Sequence, residues 1–109
     1  MILVTGATGF IGRVLVRHLS ETGQPVRVLL RSSPKSPRLP RGVPVEVAVV
    51  SLNDERAVRA ALRGVNQIYH LSSASSEGQR GSLFKTDIEG TRTLAQVAAS
   101  ADIERLIFL

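Results

Sequence analysis

The chain has 109 residues, 43% of them hydrophobic, a formal net charge of +5 and no cysteine. That length admits one domain with a real core, and the composition excludes a disordered chain, a disulfide scaffold and a thiolate metal site. No apolar run approaches the roughly 20 residues needed to span a bilayer, and the first apolar segment is too short and lacks the basic flank of a signal peptide, so the expected compartment is the cytoplasm.

Met1 to Thr5 is continuously apolar up to its last residue, the pattern of a strand buried on both faces. The turn Thr5-Gly6-Ala7-Thr8-Gly9-Phe10-Ile11-Gly12 follows directly. From Phe10 to Glu21 the spacing predicts a helix, with Ile11, Val14, Leu15 and Leu19 as its apolar stripe and Arg13, Arg17 and Glu21 off it. Gly23 is the expected stop. Val26 to Leu30 reads as a second buried strand, which closes a βαβ unit of about 30 residues.

Arg31 to Pro44 changes character. It holds four prolines and the basic residues Arg31, Lys35, Arg38 and Arg41, so it is expected as a polyproline-like surface excursion rather than helix or inner strand. Such a cluster suits nucleic acid, an anionic membrane or a phosphorylated ligand. Its position after the second strand favours a ligand phosphate beside a solvated loop, with neither nucleic acid nor membrane as a partner.

Val45 to Val50 returns to strand, and Glu55 to Leu62 is a short helix capped by Asn53 or Asp54 and ended at Gly64. Gln67 to Leu71 is a fourth strand. Ser72 to Ser82 is polar and loop-like. A longer helix then carries Phe84, Ile88, Thr91, Leu94, Ala95 and Ala98 along one side. Leu106 to Leu109 is a fifth strand. Alternating strands and helices imply an α/β fold, a doubly wound parallel sheet in the order 3-2-1-4-5 with its switch point above the glycine turn.

Strand, glycine turn and helix together form an arrangement that presents backbone N–H groups and a helix N-terminus to a phosphate. Gly6 allows the sharp exit from the strand, Gly9 the approach of a pyrophosphate, and Gly12 close packing of helix on sheet. Arg13 follows Gly12 where a nucleotide-hydrolysing loop would have Lys-Ser/Thr. The turn therefore reads as a dinucleotide turn, with Thr8, Phe10 and Ile11 completing it.

TGATGFIG resembles the extended and atypical short-chain dehydrogenase/reductase family, which includes nucleotide-sugar epimerases. Three later stretches resemble it in the same order: 63–71 (RGVNQIYHL), 86–92 (TDIEGTR) and 103–109 (IERLIFL). The resemblance covers essentially the whole chain and implies a Rossmann-like NAD(P)-binding domain, here reaching as far as its fifth strand. An NAD site wants an acidic residue after the second strand. Arg31-Ser32 stands there instead, and a guanidinium fork with a hydroxyl suits a 2′-phosphate, so NADP is expected ahead of NAD.

The resemblance further implies an adenine contact after the third strand, where Ser51, followed by Leu52, stands in place of the family's usual aspartate. It implies a small-residue segment beside the cofactor ribose at Leu71, Ser72 and Ser73. His70 falls at a packed position within the fourth strand and is read as that, not as a catalytic group. Asp87, in place of a frequent asparagine, is expected to cap or bond backbone, and His18 to lie on the surface or against the sheet. No clustering of His, Asp and Glu suggests a metal site.

The family's catalytic groups are a serine or threonine after the fifth strand and a Tyr-x-x-x-Lys pair. The sole tyrosine, Tyr69, lies in a strand with Ser73 four residues on, so no catalytic residue is assigned within the chain. The expectation is the cofactor-binding portion of a hydride-transferring oxidoreductase or epimerase, part of a longer protein whose remainder contacts a small-molecule substrate. The alternative is a non-catalytic dinucleotide-binding sensor or structural subunit. The apolar fifth strand, lying at a sheet edge, is expected to favour self-association.

Overall fold

A computed structural model describes residues 1–31, 42–71 and 81–108, for 81–87 the backbone alone. Five parallel strands form one sheet in the order β3-β2-β1-β4-β5: β1 (Ile2–Thr5), β2 (Val26–Leu30), β3 (Glu46–Val49), β4 (Gln67–His70) and β5 (Arg105–Phe108). Three helices separate them: α1 (Phe10–Glu21), α2 (Glu55–Ala61) and α3 (Gly81–Ala99). The strand order and the α/β alternation are those expected from the sequence.

Strand alternation explains why β1 is apolar on both sides. Leu3 points into a core shared with Val58, Leu62, Ile68, Leu94 and Val97, whereas Ile2 and Val4 point into a second core with Val16, Leu19, Val26 and Val28. Successive side chains leave a strand on opposite faces, so α2 and α3 cover one face and α1 the other. Burial of these branched side chains drives the fold, at about 25 cal/mol for each Å² of apolar surface removed from water.

Two helical faces differ from the sequence reading. On α1 the buried residues are Gly12, Val16 and Leu19, while Ile11 and Val14 are 61% and 59% exposed. The helix is rolled so that Gly12, not a larger apolar residue, meets the turn. On α3, Gly90, Leu94, Val97 and Ala98 are buried, whereas Ile88 and Ala95 face outward. That helix also begins at Gly81, inside the segment read as loop. In both cases a small residue sets the rotation of the helix, because closeness of backbone contact outweighs the count of apolar side chains.

The helix ends follow local chemistry. At the end of α1, Gly23 has φ +82°, its N–H donates to Ser20 O, and the Gln24 N–H donates to Leu19 O, a Schellman closure that uses the expected glycine. Of the two candidate caps for α2, Asp54 acts: its Oδ1 accepts from the Ala57 N–H at 3.2 Å. Gly64, with φ +76°, turns the chain after α2.

Arg27 locks the amino end of the sheet. Its Nη1 donates to Ala61 O at 2.6 Å and Arg63 O at 2.8 Å, while Nη2 pairs with Glu46 Oε1 at 3.2 Å. A cation at the C-terminal carbonyls of α2 is favoured by the helix dipole. Arg27→Met is expected to lower stability by about 1–3 kcal/mol, because it strands those carbonyls. The midpoint of urea unfolding checks this, and an unchanged midpoint would show the clamp to be ornamental.

Candidate functional site

The parallel sheet brings its carboxyl ends to one edge, where β1 and β4 lead away in opposite directions. A crevice opens there in doubly wound folds. The turn after β1, Arg31 after β2, Ser51 and Leu52 after β3, and Leu71 after β4 all stand along that edge. Of the residues singled out from the sequence, Gly6, Thr8, Gly9, Phe10, Ile11, Gly12, Arg31, Ser51, Leu52 and Leu71 are described. Ser32, Ser72 and Ser73 lie outside the described residues, as do Lys35, Arg38 and Arg41 of the basic segment.

The glycine turn has three different glycines. Gly6 takes φ +72°, a conformation that side chains resist, and so redirects the chain out of β1. A Cβ on Gly12 would lie 2.0 Å from Gly6 O and 2.8 Å from Ala7 Cα. The helix backbone thus rests on the turn itself. Gly9 is another case: its φ of −76° suits any residue, and a Cβ there would meet nothing closer than Gly6 O at 3.5 Å. A Cβ at position 9 would thus make ordinary contact and no clash.

Gly9 is also the N-cap of α1, and no side chain caps it or places an acid in the first turn. The first intrahelical bond runs from the Arg13 N–H to Gly9 O at 3.0 Å. The N–H groups of Phe10, Ile11 and Gly12 therefore have no carbonyl one turn back within the helix. Together with the dipole, they make a site for an anion. With glycine at the cap, no side chain stands at position 9 beside these N–H groups, and the arrangement fits a pyrophosphate. Thr8 is exposed beside it.

The other strand ends are built as follows. Arg31 is exposed immediately past β2. Ser51 Oγ accepts from the Asn53 N–H at 3.3 Å, and Ser51 O from the Asp54 N–H at 3.0 Å, so Ser51 shapes the turn into α2. Leu52 is half-buried against α3, where a Cβ on Gly90 would come within 2.8 Å of Leu52 Cβ. The Leu71 N–H donates to Thr5 Oγ1 at 3.2 Å, which ties the end of β4 to the start of the glycine turn.

Sequence reasoning gave His70, Gly90 and Thr91 no part in the site's construction. His70 is 1% exposed, with Nδ1 2.6 Å from Thr5 Oγ1 and Nε2 2.8 Å from Thr91 Oγ1. Its ring lies 5.4 Å, centroid to centroid, from that of Phe108. Gly90 carried a visible signal: glycine inside a helix costs about 1 kcal/mol against alanine, so it usually marks a close approach. Tyr69 lies in β4 with its side chain toward the α1 face, and His18 is exposed on α1. The side chain of Asp87 is outside the description.

Among the described residues, no helix is long and apolar enough to cross a membrane, and no group of three or more His, Cys, Asp or Glu side chains could hold a metal ion.

Comparison with known proteins agrees with the fold. Residues 2–109 match the model of the NAD dependent epimerase/dehydratase family. The chain is 41% identical over 107 residues to sterol demethylase protein B of Methylococcus capsulatus, covering 96% of this chain and 32% of that protein. A short-chain dehydrogenase/reductase superfamily protein from Agrobacterium tumefaciens, solved with bound NAD, is 33% identical with a TM-score of 0.73, over 99% of this chain and 31% of the other. UDP-glucose 4-epimerase from Thermotoga maritima, solved with UDP-glucose, is 27% identical with a TM-score of 0.82, over 98% of this chain and 36% of the other. The chain thus spans about a third of the length of the relatives it matches. With its glycine turn, its 3-2-1-4-5 parallel sheet and this match, the chain belongs to the NAD-dependent epimerase/dehydratase family and carries a Rossmann-like dinucleotide-binding fold.

Proposed function

We propose that the chain binds a nicotinamide dinucleotide, with NADP preferred over NAD, as the cofactor-binding portion of a short-chain dehydrogenase/reductase-type oxidoreductase or epimerase. The observation that carries this reading is Gly9, a position where a Cβ would meet no clash but the sequence supplies none. In this reading the N–H groups at the start of α1 hold the pyrophosphate. Arg31 and Ser32 take the 2′-phosphate, Ser51 and Leu52 border the adenine, and Leu71, Ser72 and Ser73 line the ribose. A bound nicotinamide supplies the site with a hydride donor or acceptor.

The preference for NADP rests on charge at the end of β2. Arg31 stands there, exposed, where an NAD site wants a carboxylate for the ribose hydroxyls. NAD is the cofactor named for the Agrobacterium relative, so the test needs both dinucleotides. Titration of the chain with NADPH and NADH, followed by cofactor fluorescence, is expected to give the tighter constant for NADPH. Arg31→Ala should weaken NADPH about tenfold, as expected for loss of one charge-assisted contact, and NADH much less. Equal losses would overturn the preference, and binding of neither would overturn the site.

A further inference from the structure

We infer that helix α3 positions this dinucleotide site through its adjacent residues Gly90 and Thr91, Thr91 acting through His70 on Thr5 and Gly90 acting directly on Leu52. The inference rests on the dinucleotide reading above and goes beyond it. The residues it names are positioning residues.

The geometry forms a continuous path. Thr5 is the last residue of β1 and adjoins Gly6, the residue whose positive φ starts the phosphate turn. Its Oγ1 accepts from the Leu71 N–H and lies 2.6 Å from His70 Nδ1. On the far side of the ring, Nε2 lies 2.8 Å from Thr91 Oγ1. Thr5, Leu3, Ile68 and His70 leave their strands on the face that α3 covers, which is why the imidazole can span from sheet to helix.

Chemistry makes this path directional. A neutral imidazole has one N–H, so one hydroxyl donates to the ring and the other accepts from it. Threonine at both ends can serve either role, and the ring holds both in place. Thr5 and His70 are almost wholly buried, at 0% and 1% exposure, so neither can exchange its partner for bulk water at little cost. Movement of α3 along its axis would break the Nε2 contact or drag the ring, and with it the hydroxyl next to Gly6.

The next residue back on α3 makes the second contact. A Cβ on Gly90 would lie 2.8 Å from Leu52 Cβ and 3.3 Å from its Cδ1. Glycine there lets the helix backbone sit against Leu52, the residue bordering the adenine in the proposed site. One helical step thus fixes a point at each side of the crevice, near β3 and at the β1–β4 switch.

The decisive variant is Thr91→Val, which keeps the branched shape and removes the hydroxyl. In the free chain, amide hydrogen exchange over residues 5–12 should quicken relative to β2 and β3. The dissociation constant for NADPH should rise about fivefold, the size expected for one lost buried hydrogen bond. Thr91→Ser should restore both to within about twofold of the parent. Should Thr91→Val fail to fold, His70→Asn is the second variant; its short amide faces Thr5 but does not reach Thr91, and the same pattern is expected.

Exchange that quickens uniformly, or not at all over residues 5–12, would overturn the inference. If the parent chain binds neither NADPH nor NADH, the dinucleotide reading fails instead. The exchange measurement, made without ligand, separates the two failures.

Discussion

Gly12→Ala is expected to damage both the fold and the site. The added Cβ would lie 2.0 Å from Gly6 O and 2.8 Å from Ala7 Cα. Both are backbone atoms of the turn, and no side chain can swing aside to make room. Either α1 lifts from the turn, drawing Val16 and Leu19 away from the core they fill, or Gly6 leaves its position. Overpacking of this kind costs about 1–3 kcal/mol, and the strain falls on the N–H groups that would face a pyrophosphate. The expected result is a clear fall in thermal midpoint with at least about a tenfold loss of dinucleotide affinity. A variant that melts like the parent and binds like it would show the close contact to be relieved without consequence.

Gly9→Val should separate these two effects. The φ of Gly9 is ordinary, and a Cβ there meets only Gly6 O at 3.5 Å. The change should therefore lower stability by no more than about 1 kcal/mol, the cost of a poorer N-cap residue at a position free of backbone strain. In the proposed site the side chain would crowd the place where a pyrophosphate would approach the backbone, and affinity should fall about tenfold or more. Circular-dichroism melting and cofactor fluorescence, measured on one preparation, give both numbers. A variant that unfolds would show that Gly9 serves the fold; one that binds normally would remove the main support for the proposed site.

Their places in the G-x-x-G-x-x-G turn assign Gly12 to close packing and Gly9 to the approach of a ligand phosphate. The packed structure supplies the distances, because the difference lies in which atoms stand beside an absent Cβ. The helix faces are another matter. Ile11 and Val14 looked like core by periodicity, yet the close approach of Gly12 to the turn rolls α1 and leaves both exposed. On α3, Gly90 and Val97 take the inward positions while Ile88 and Ala95 turn outward. Hydrophobic period gives the existence and length of a helix, and the small residue at its tightest contact sets the rotation.

His70 illustrates a different limit. From the chain alone it is a polar residue closing an apolar strand, and its packed position could be anticipated. Its two partners, Thr5 and Thr91, lie 65 and 21 residues away, and no local pattern links them. Pairings at such separation depend on register across the sheet and on the height of α3 above it.

The sequence by itself determined the order of strands and helices, the parallel sheet 3-2-1-4-5 and the place of the glycine turn. Those follow from local signals: continuous apolar runs make buried strands, glycines make turns, and short connections restrict topology. Tertiary structure alone decided which face each helix buries, and how α3 meets Thr5 through His70. Those depend on contacts of a few ångströms between segments far apart in the chain, where one backbone atom too near outweighs any local preference.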